Sequence, residues 1–380
     1  MAVEAHPSSS LGTGERRRTL RVLTYAGAIV AFLIGSGFAT GQEILQYFAA
    51  YGFWGILGTG ILVLVLMSYV CVEFFRAGQK HQFERPSLIF RHYCGRYLGG
   101  FFDAFSVLFV FLSFTVMVSG AGAVVEEHFG LSRYLGGAAL AVAVGATVWF
   151  GLKNLVDVIG KIGPLIVVIA VALGAVGILR NPEGLSGVHE LLPTLELTRA
   201  SSNWFLAGLS YVGFCMLWLA AFVTALGKTA RSQREAAAGG MLGGVAFSLA
   251  CMIVGLGLLA NIEGVAGTEI PMLFLAGEIS PVLASGISVM ILIGIYTTAI
   301  PLLWTVSSRF FEDRTPGFRY STLILAAAGI LIGLILPFSQ MVNIVYVING
   351  YVGALLLVMM LITTGRRIWK HRRRSSEAAA

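Results

Sequence analysis

The sequence predicts an all-α integral membrane protein of ten transmembrane helices, arranged as a 5+5 inverted repeat. Three observations predict it. Of its 380 residues 57% are apolar and only 12% are charged, against about 25% charged in a soluble domain. Ten apolar runs are each long enough to cross a bilayer, which needs about 20 residues. Of the 26 lysines and arginines, 23 fall on one side when the runs are threaded alternately. Short loops rich in lysine and arginine mark the cytoplasmic side. Both termini are therefore expected in the cytoplasm, and a net charge of +7 reads as topology rather than as nucleic-acid binding.

The runs lie near 22–51, 53–75, 99–125, 134–151, 155–179, 204–227, 237–262, 282–308, 320–338 and 341–364. The expected divisions are a cytoplasmic tail at 1–20, a first five-helix repeat at 21–181, an extracellular loop at 182–203, a second repeat at 204–366 and a basic cytoplasmic tail at 367–380. Residues 1–20 hold no apolar core of signal-peptide type. Three longer joins remain. Gly78 to Tyr97 is polar, basic and aromatic and reads as a cytoplasmic amphipathic piece or an ordinary surface loop. Asn181 to Asn203 is an outer loop, and Gly264 to Pro281 carries a Pro271–Ala276 apolar patch that suits a short helix over an outer entrance. The cysteines Cys71, Cys94, Cys215 and Cys251 are dispersed without a CxxC pair, so neither a disulfide framework nor a zinc site is indicated.

The first run carries Gly35-Ser36-Gly37-Phe38 near its middle. Glycine weakens a helix by about 1 kcal/mol relative to alanine. Loose backbone at bilayer depth is tolerated only against protein or a water-filled cavity. The stretch therefore reads either as a deliberate break facing a ligand or as close helix packing through small residues. Ten spans divide into five and five, and an odd number inverts the second half. The sixth run should then break too, around Ser210 to Cys215 with Gly213 inside it. Interruptions at matching places of two halves point to a transporter binding site. A broken helix offers unsatisfied N–H groups and positive dipole character, which can hold a carboxylate without a cationic side chain. No aspartate lies near either break, which favours a zwitterion or a small neutral solute. The substrate-binding candidates are Gly35, Ser36, Gly37, Phe38, Phe114, Met117, Tyr211, Gly213 and Phe214.

The string GSGFATGQE, Gly35 to Glu43, resembles the helix-one signature of the amino acid–polyamine–organocation superfamily, and in particular its YkvI-type membrane proteins, read as amino-acid permeases. The resemblance covers essentially all ten spans. It implies the LeuT-like fold, with helices one and six broken around a midplane site and helices three and eight beside it. It also implies a bacterial plasma (inner) membrane location. A recurrent sodium site of that fold, carried over residue by residue, falls on Ala31, Ile34, Gly294, Thr297 and Thr298. Five oxygens suit a hard cation, although membrane threonines commonly bond back to their own helix. The competing group is Lys161, similar in place to a fifth-helix lysine of sodium-independent members. An intramembrane lysine is a functional candidate by default, but Asp157 four residues earlier offers an ordinary pairing. Glu43 is a further candidate as a proton site, an outer gate or a buried structural acid.

These features imply a secondary active transporter working by alternating access, driven by a proton or sodium gradient and needing no cofactor. The bilayer and a small-molecule substrate are its expected partners. The alternatives are an uncoupled facilitator or channel, and a sensor that keeps the fold without transport. The sequence contains no G-x-x-x-x-G-K-[ST], HExxH or GxSxG motif, so an enzyme is not expected.

Overall fold

The first apolar run does not form one helix. In the computed structural model α1 (Ser9–Leu33) stops at Leu33, α2 (Ser36–Thr40) follows after an extended Gly35, and α3 (Gln42–Tyr47) starts beyond Gly41. The structure describes the backbone of residues 9–150, 156–313 and 315–377, and side chains within these except 9–15, 17, 156–162 and 371–377. Next come α4 (Gly52–His81), α5 (Leu88–Phe129), α6 (Arg133–Phe150), α7 (Val156–Arg180) and the one-turn α8 (Val188–Leu191). They are followed by α9 (Trp204–Gly227), α10 (Gln233–Ala260), the short α11 (Ile262–Val265) and α12 (Pro271–Ile279), then α13 (Pro281–Phe310), α14 (Pro316–Gly333) and α15 (Phe338–Glu377). Among the described residues there is no strand.

Nine helical stretches among the described residues are long and apolar enough to cross a membrane. The helix before the break, α1, is not one of the nine, because it carries Arg16, Arg18 and Arg21 in its first half. Other boundaries also move. The join after α4 is residues 82–87, so most of the expected amphipathic piece at 78–97 is helical. Its bend is at Gly95, whose φ of 72° kinks α5 at a cost a side chain would raise. The 367–380 tail continues α15 as helix through Glu377. The expected short helix at Pro271–Ala276 is present as α12, with Pro271 at its first turn.

The expected break in the sixth run is absent, and α9 is continuous from Trp204 to Gly227. The reason is packing. A Cβ on Gly213 would overlap the Gly350 carbonyl oxygen, and one on Gly353 would overlap the Gly213 carbonyl. These glycines let α9 and α15 touch backbone to backbone, as small residues do at membrane helix interfaces. The α4–α9 seam closes the same way, with Gly78 against the Thr224 carbonyl. So does α4–α10, where Gly240 meets the Cys71 carbonyl at 2.8 Å from its would-be Cβ. In the other part of the molecule Gly333 of α14 meets the Thr115 carbonyl of α5 at 2.5 Å, and Gly122 of α5 meets the Arg133 carbonyl of α6 at 2.6 Å. Gly213→Ala is expected to cost about 2 kcal/mol by forcing α9 and α15 apart, read as a lower thermal unfolding midpoint in detergent. An unchanged midpoint would show that the seam has slack.

Several helix pairings recur when each run is exchanged for the one five places along. The α4–α9 pair matches α10–α1, α5–α6 matches α13–α14, α5–α14 matches α13–α6, and α5–α15 matches α13–α7.

Candidate functional site

The break in helix one organises the site. Gly35 is extended, with φ −96° and ψ −165°, and its N–H bonds only to the Leu33 carbonyl at 3.1 Å. Its open side faces α5, where the Met117 methyl would sit 3.5 Å from a Cβ on Gly35. Six residues later Gly41 takes the left-handed conformation, φ +84°, which glycine adopts without a Cβ penalty. The Thr40 hydroxyl donates to the Gly37 carbonyl at 3.1 Å and steadies this turn.

The turn brings Glu43 back toward the break. Tyr211 of α9 donates its hydroxyl to Glu43 Oε1 at 2.7 Å. The other oxygen, Oε2, lies 2.6 Å from where a Cβ on Gly37 would be. Glu43 is buried, at 2% exposure. Among the described residues it makes no ion pair. A buried carboxyl in lipid-depth surroundings carries a large desolvation cost as a lone anion.

Aromatic rings surround the Tyr211 ring that holds this carboxyl. Tyr47 and Phe48 each lie 5.1 Å from the Tyr211 ring, and Phe247 lies parallel to it at 6.1 Å. Phe38 meets Phe247 at 6.2 Å. Phe214 stacks on Tyr346 of α15 at 4.3 Å. Buried hydroxyls remain unpaired beside these rings. Ser36 Oγ neighbours Tyr346, and Tyr47 Oη neighbours Ser210 Oγ, yet Ser36, Tyr47 and Ser210 complete no hydrogen bond of normal geometry. Buried polar groups nearly always have partners, so such a cluster calls for an explanation. Ser210 has a packing reason in part, since its Oγ presses on Gly350.

The sequence candidates thus separate. Gly35, Ser36, Gly37, Phe38, Met117, Tyr211, Phe214 and Glu43 share one neighbourhood. Phe114 instead packs against Gly329 of α14, and Gly213 serves the α9–α15 seam. Of the cation set, the Thr297 hydroxyl donates to the Gly294 carbonyl at 3.0 Å. Gly294 backs onto Ile166, and Ala31 faces Gly163, both of α7. Ile34 is buried in the linker before Gly35, and Thr298 is half-buried on α13. The Lys161 side chain lies outside the described residues. Sequence reasoning did not single out Tyr47, Phe247 or Tyr346. Tyr346, a phenol in an otherwise apolar stretch of α15, was the one findable signal.

Both ends of the site are tied. On the side of the 181–203 connection, α12 sits on Gly41, with Met272 Cγ 2.8 Å from a would-be Cβ. Glu127 accepts the Ile270 N–H at 2.9 Å, Glu269 accepts the Ser339 hydroxyl at 3.0 Å, and Gln46 donates to the Ser339 carbonyl at 2.8 Å. At the opposite end Arg21 forks onto Glu235 with two bonds of 2.9 Å, joining α1 to α10. Such a part-exposed pair contributes little to stability by itself, but it fixes α1 to α10 at this end of the site. Arg21→Gln is therefore expected to raise thiol-reagent labelling of a Ser36→Cys variant severalfold. Unchanged labelling would mean that α1 is held elsewhere.

This arrangement defines a class. The helices of this chain among the described residues superpose on LeuT-type structures, so the chain has the LeuT-type fold, the fold of a group of membrane transporters. Over 93% of this chain and 89% of theirs it superposes on MhsT in complex with L-phenylalanine, with a TM-score of 0.61 and 14% identity. It also superposes, at TM-score 0.55 and 15% identity, on the manganese transporter of Eremococcus coleocola, over 95% and 81% of the two chains. In sequence the chain is similar to YkvI, an uncharacterized membrane protein of Bacillus subtilis (strain 168), at 26% identity over 227 residues. That match spans 58% of this chain and 61% of YkvI. YyaD of the same organism matches at 23% over 354 residues, 90% of this chain and 96% of YyaD. No protein-family model matches the chain.

Proposed function

We propose that the protein is a secondary active transporter that moves a small zwitterion, an amino acid or a close relative, across a bacterial plasma membrane by alternating access. The observation that carries this reading is the buried Glu43 carboxyl, unpaired by a cation among the described residues, beside the open Ser36 hydroxyl at the helix-one break. Backbone N–H groups after Gly35 and the Ser36 hydroxyl suit a substrate carboxylate. The rings of Phe38, Tyr211, Phe214 and Tyr346 suit the rest of a small organic solute. The L-phenylalanine bound by MhsT supports the amino-acid reading, whereas the manganese transporter on the same fold shows that fold alone leaves the cargo open. The recurring helix pairings support the 5+5 duplication, and the basic-residue asymmetry supports cytoplasmic termini.

Glu43 is the coupling group favoured here. It can bind and release a proton, and neutralising it removes the cost of an unpaired charge at depth. The alternative cation set, Ala31, Ile34, Gly294, Thr297 and Thr298, has its Thr297 hydroxyl engaged within its own helix. The test is uptake of a labelled L-amino-acid mixture into proteoliposomes under a proton or a sodium gradient imposed separately. Proton-driven accumulation that survives Lys161→Ala supports Glu43, and its loss in Lys161→Ala transfers the role to the lysine. Accumulation that needs sodium and fails in Thr298→Ala supports the cation set. Equilibration without accumulation identifies a facilitator, and binding without flux identifies a sensor.

A further inference from the structure

A second region brings side chains of opposite charge to one cleft. On the side of the 181–203 connection, the end of α7, Asn261 at the C-terminus of α10, and α12 border an open cleft of about 290 Å³ lined in part by Val176, Arg180, Asn261, Leu275, Glu278 and Ile279. An adjoining cavity of about 340 Å³ shares Asn181, Asn261 and Glu278 with it. The frame is fixed by amides. Asn181 donates to the Ala260 carbonyl at 2.7 Å and accepts the Gly184 N–H at 3.2 Å. Asn261 donates to the carbonyls of Gly257 and Gly177, at 2.9 and 3.2 Å.

Arg180 donates to the main-chain carbonyl of Glu278 at 2.9 Å, not to its carboxylate. Neither Arg180 nor Glu278 is in an ion pair among the described residues. Arg180 and Glu278, both exposed to solvent, therefore border one cleft with no ion pair between their side chains, while Val176, Leu275 and Ile279 supply an apolar wall. The volume is near the lower end for small-molecule sites, about 300 Å³. We propose that this cavity is a second binding site, for a small aliphatic zwitterion of the α-amino-acid class. Its carboxylate would meet Arg180, its ammonium Glu278 and its side chain the apolar wall. The site is built on α7, α10 and α12, apart from the helix-one break, and does not depend on what the break binds. Because α12 also rests on Gly41, a ligand here braces the element that covers that break.

The experiment is equilibrium binding of radiolabelled L-leucine to the full chain in nanodiscs, with stoichiometry. Arg180→Gln and Glu278→Gln are each expected to weaken one binding component at least about tenfold, the scale of a charge-assisted hydrogen bond. At a leucine concentration that just saturates the wild type, occupancy then falls toward one from two if the helix-one cluster also binds leucine, and toward zero from one if it does not, so the two sites fail separately. Competition should show the same rule, with 4-methylpentanoate and 3-methylbutylamine, each lacking one charge, at least about tenfold weaker than leucine. The double exchange Arg180→Glu with Glu278→Arg should recover binding, because a zwitterion can turn round. Absence of leucine binding by the wild type, or binding unaltered in both single variants, overturns the proposal.

Discussion

Glu43→Gln is expected to abolish gradient-driven accumulation while leaving exchange of substrate across the membrane within a fewfold of wild type. The amide keeps the volume of the side chain, and its carbonyl oxygen can still accept the Tyr211 hydroxyl that now sits 2.7 Å away. What it loses is the ability to take up and release a proton. One charge crossing 100 mV is worth about 2.3 kcal/mol, or an accumulation of about fifty-fold. The variant should therefore drop from that order to unity in proteoliposomes under a proton gradient. Wild-type accumulation in the variant would remove Glu43 from the coupling and return attention to Lys161.

Gly41→Val is expected to cost about 4 kcal/mol and to eliminate uptake. Two penalties act together. A β-branched residue at φ +84° costs about 1–3 kcal/mol in backbone strain. Its Cβ would also stand 2.8 Å from Met272 Cγ and 3.2 Å from the Met272 backbone nitrogen, an overpacking cost of about 1–3 kcal/mol. Relief requires α12 to lift from the joint or the α2–α3 turn to straighten, and straightening carries Glu43 away from Tyr211. Circular dichroism melts in detergent measure the first effect and proteoliposome uptake the second. Normal uptake with a normal melt would mean that neither the turn nor its cover is needed as built.

The break in helix one was legible because Gly35-Ser36-Gly37 leaves little side chain to shield backbone, and the structure interrupts the helix there. The sixth run misled for a related reason. Gly213 reads the same whether a helix opens or a neighbour approaches closely. The neighbour, Gly350 on α15, is more than a hundred residues away in sequence. Glu43 was legible as a buried acid but not in its position, since helical spacing carries it away from the break. Only the left-handed Gly41 folds it back, and a glycine in a glycine-rich segment does not announce which sign its φ will take. Tyr346 and Phe247 join the site by packing between distant helices, which periodicity cannot show.

The glycine seams also distribute compliance unevenly. Where carbonyl meets glycine Cα, as between α9 and α15, α4 and α9, or α4 and α10, two helices cannot shear past each other without first separating. The α5–α6 and α5–α14 seams are stiff in the same way. Elsewhere bulky side chains fill the gap. Phe338 lies between α15 and Gly120 of α5, and Ile166 between α7 and Gly294 of α13. Side chains change rotamer, and small shear of packed helices uses that freedom. Deformation is thus channelled into the side-chain-filled boundaries between two stiff groups of helices, and the helix-one break, with Gly35 facing Met117 of α5 on one side and Glu43 bonded to Tyr211 of α9 on the other, lies across that boundary.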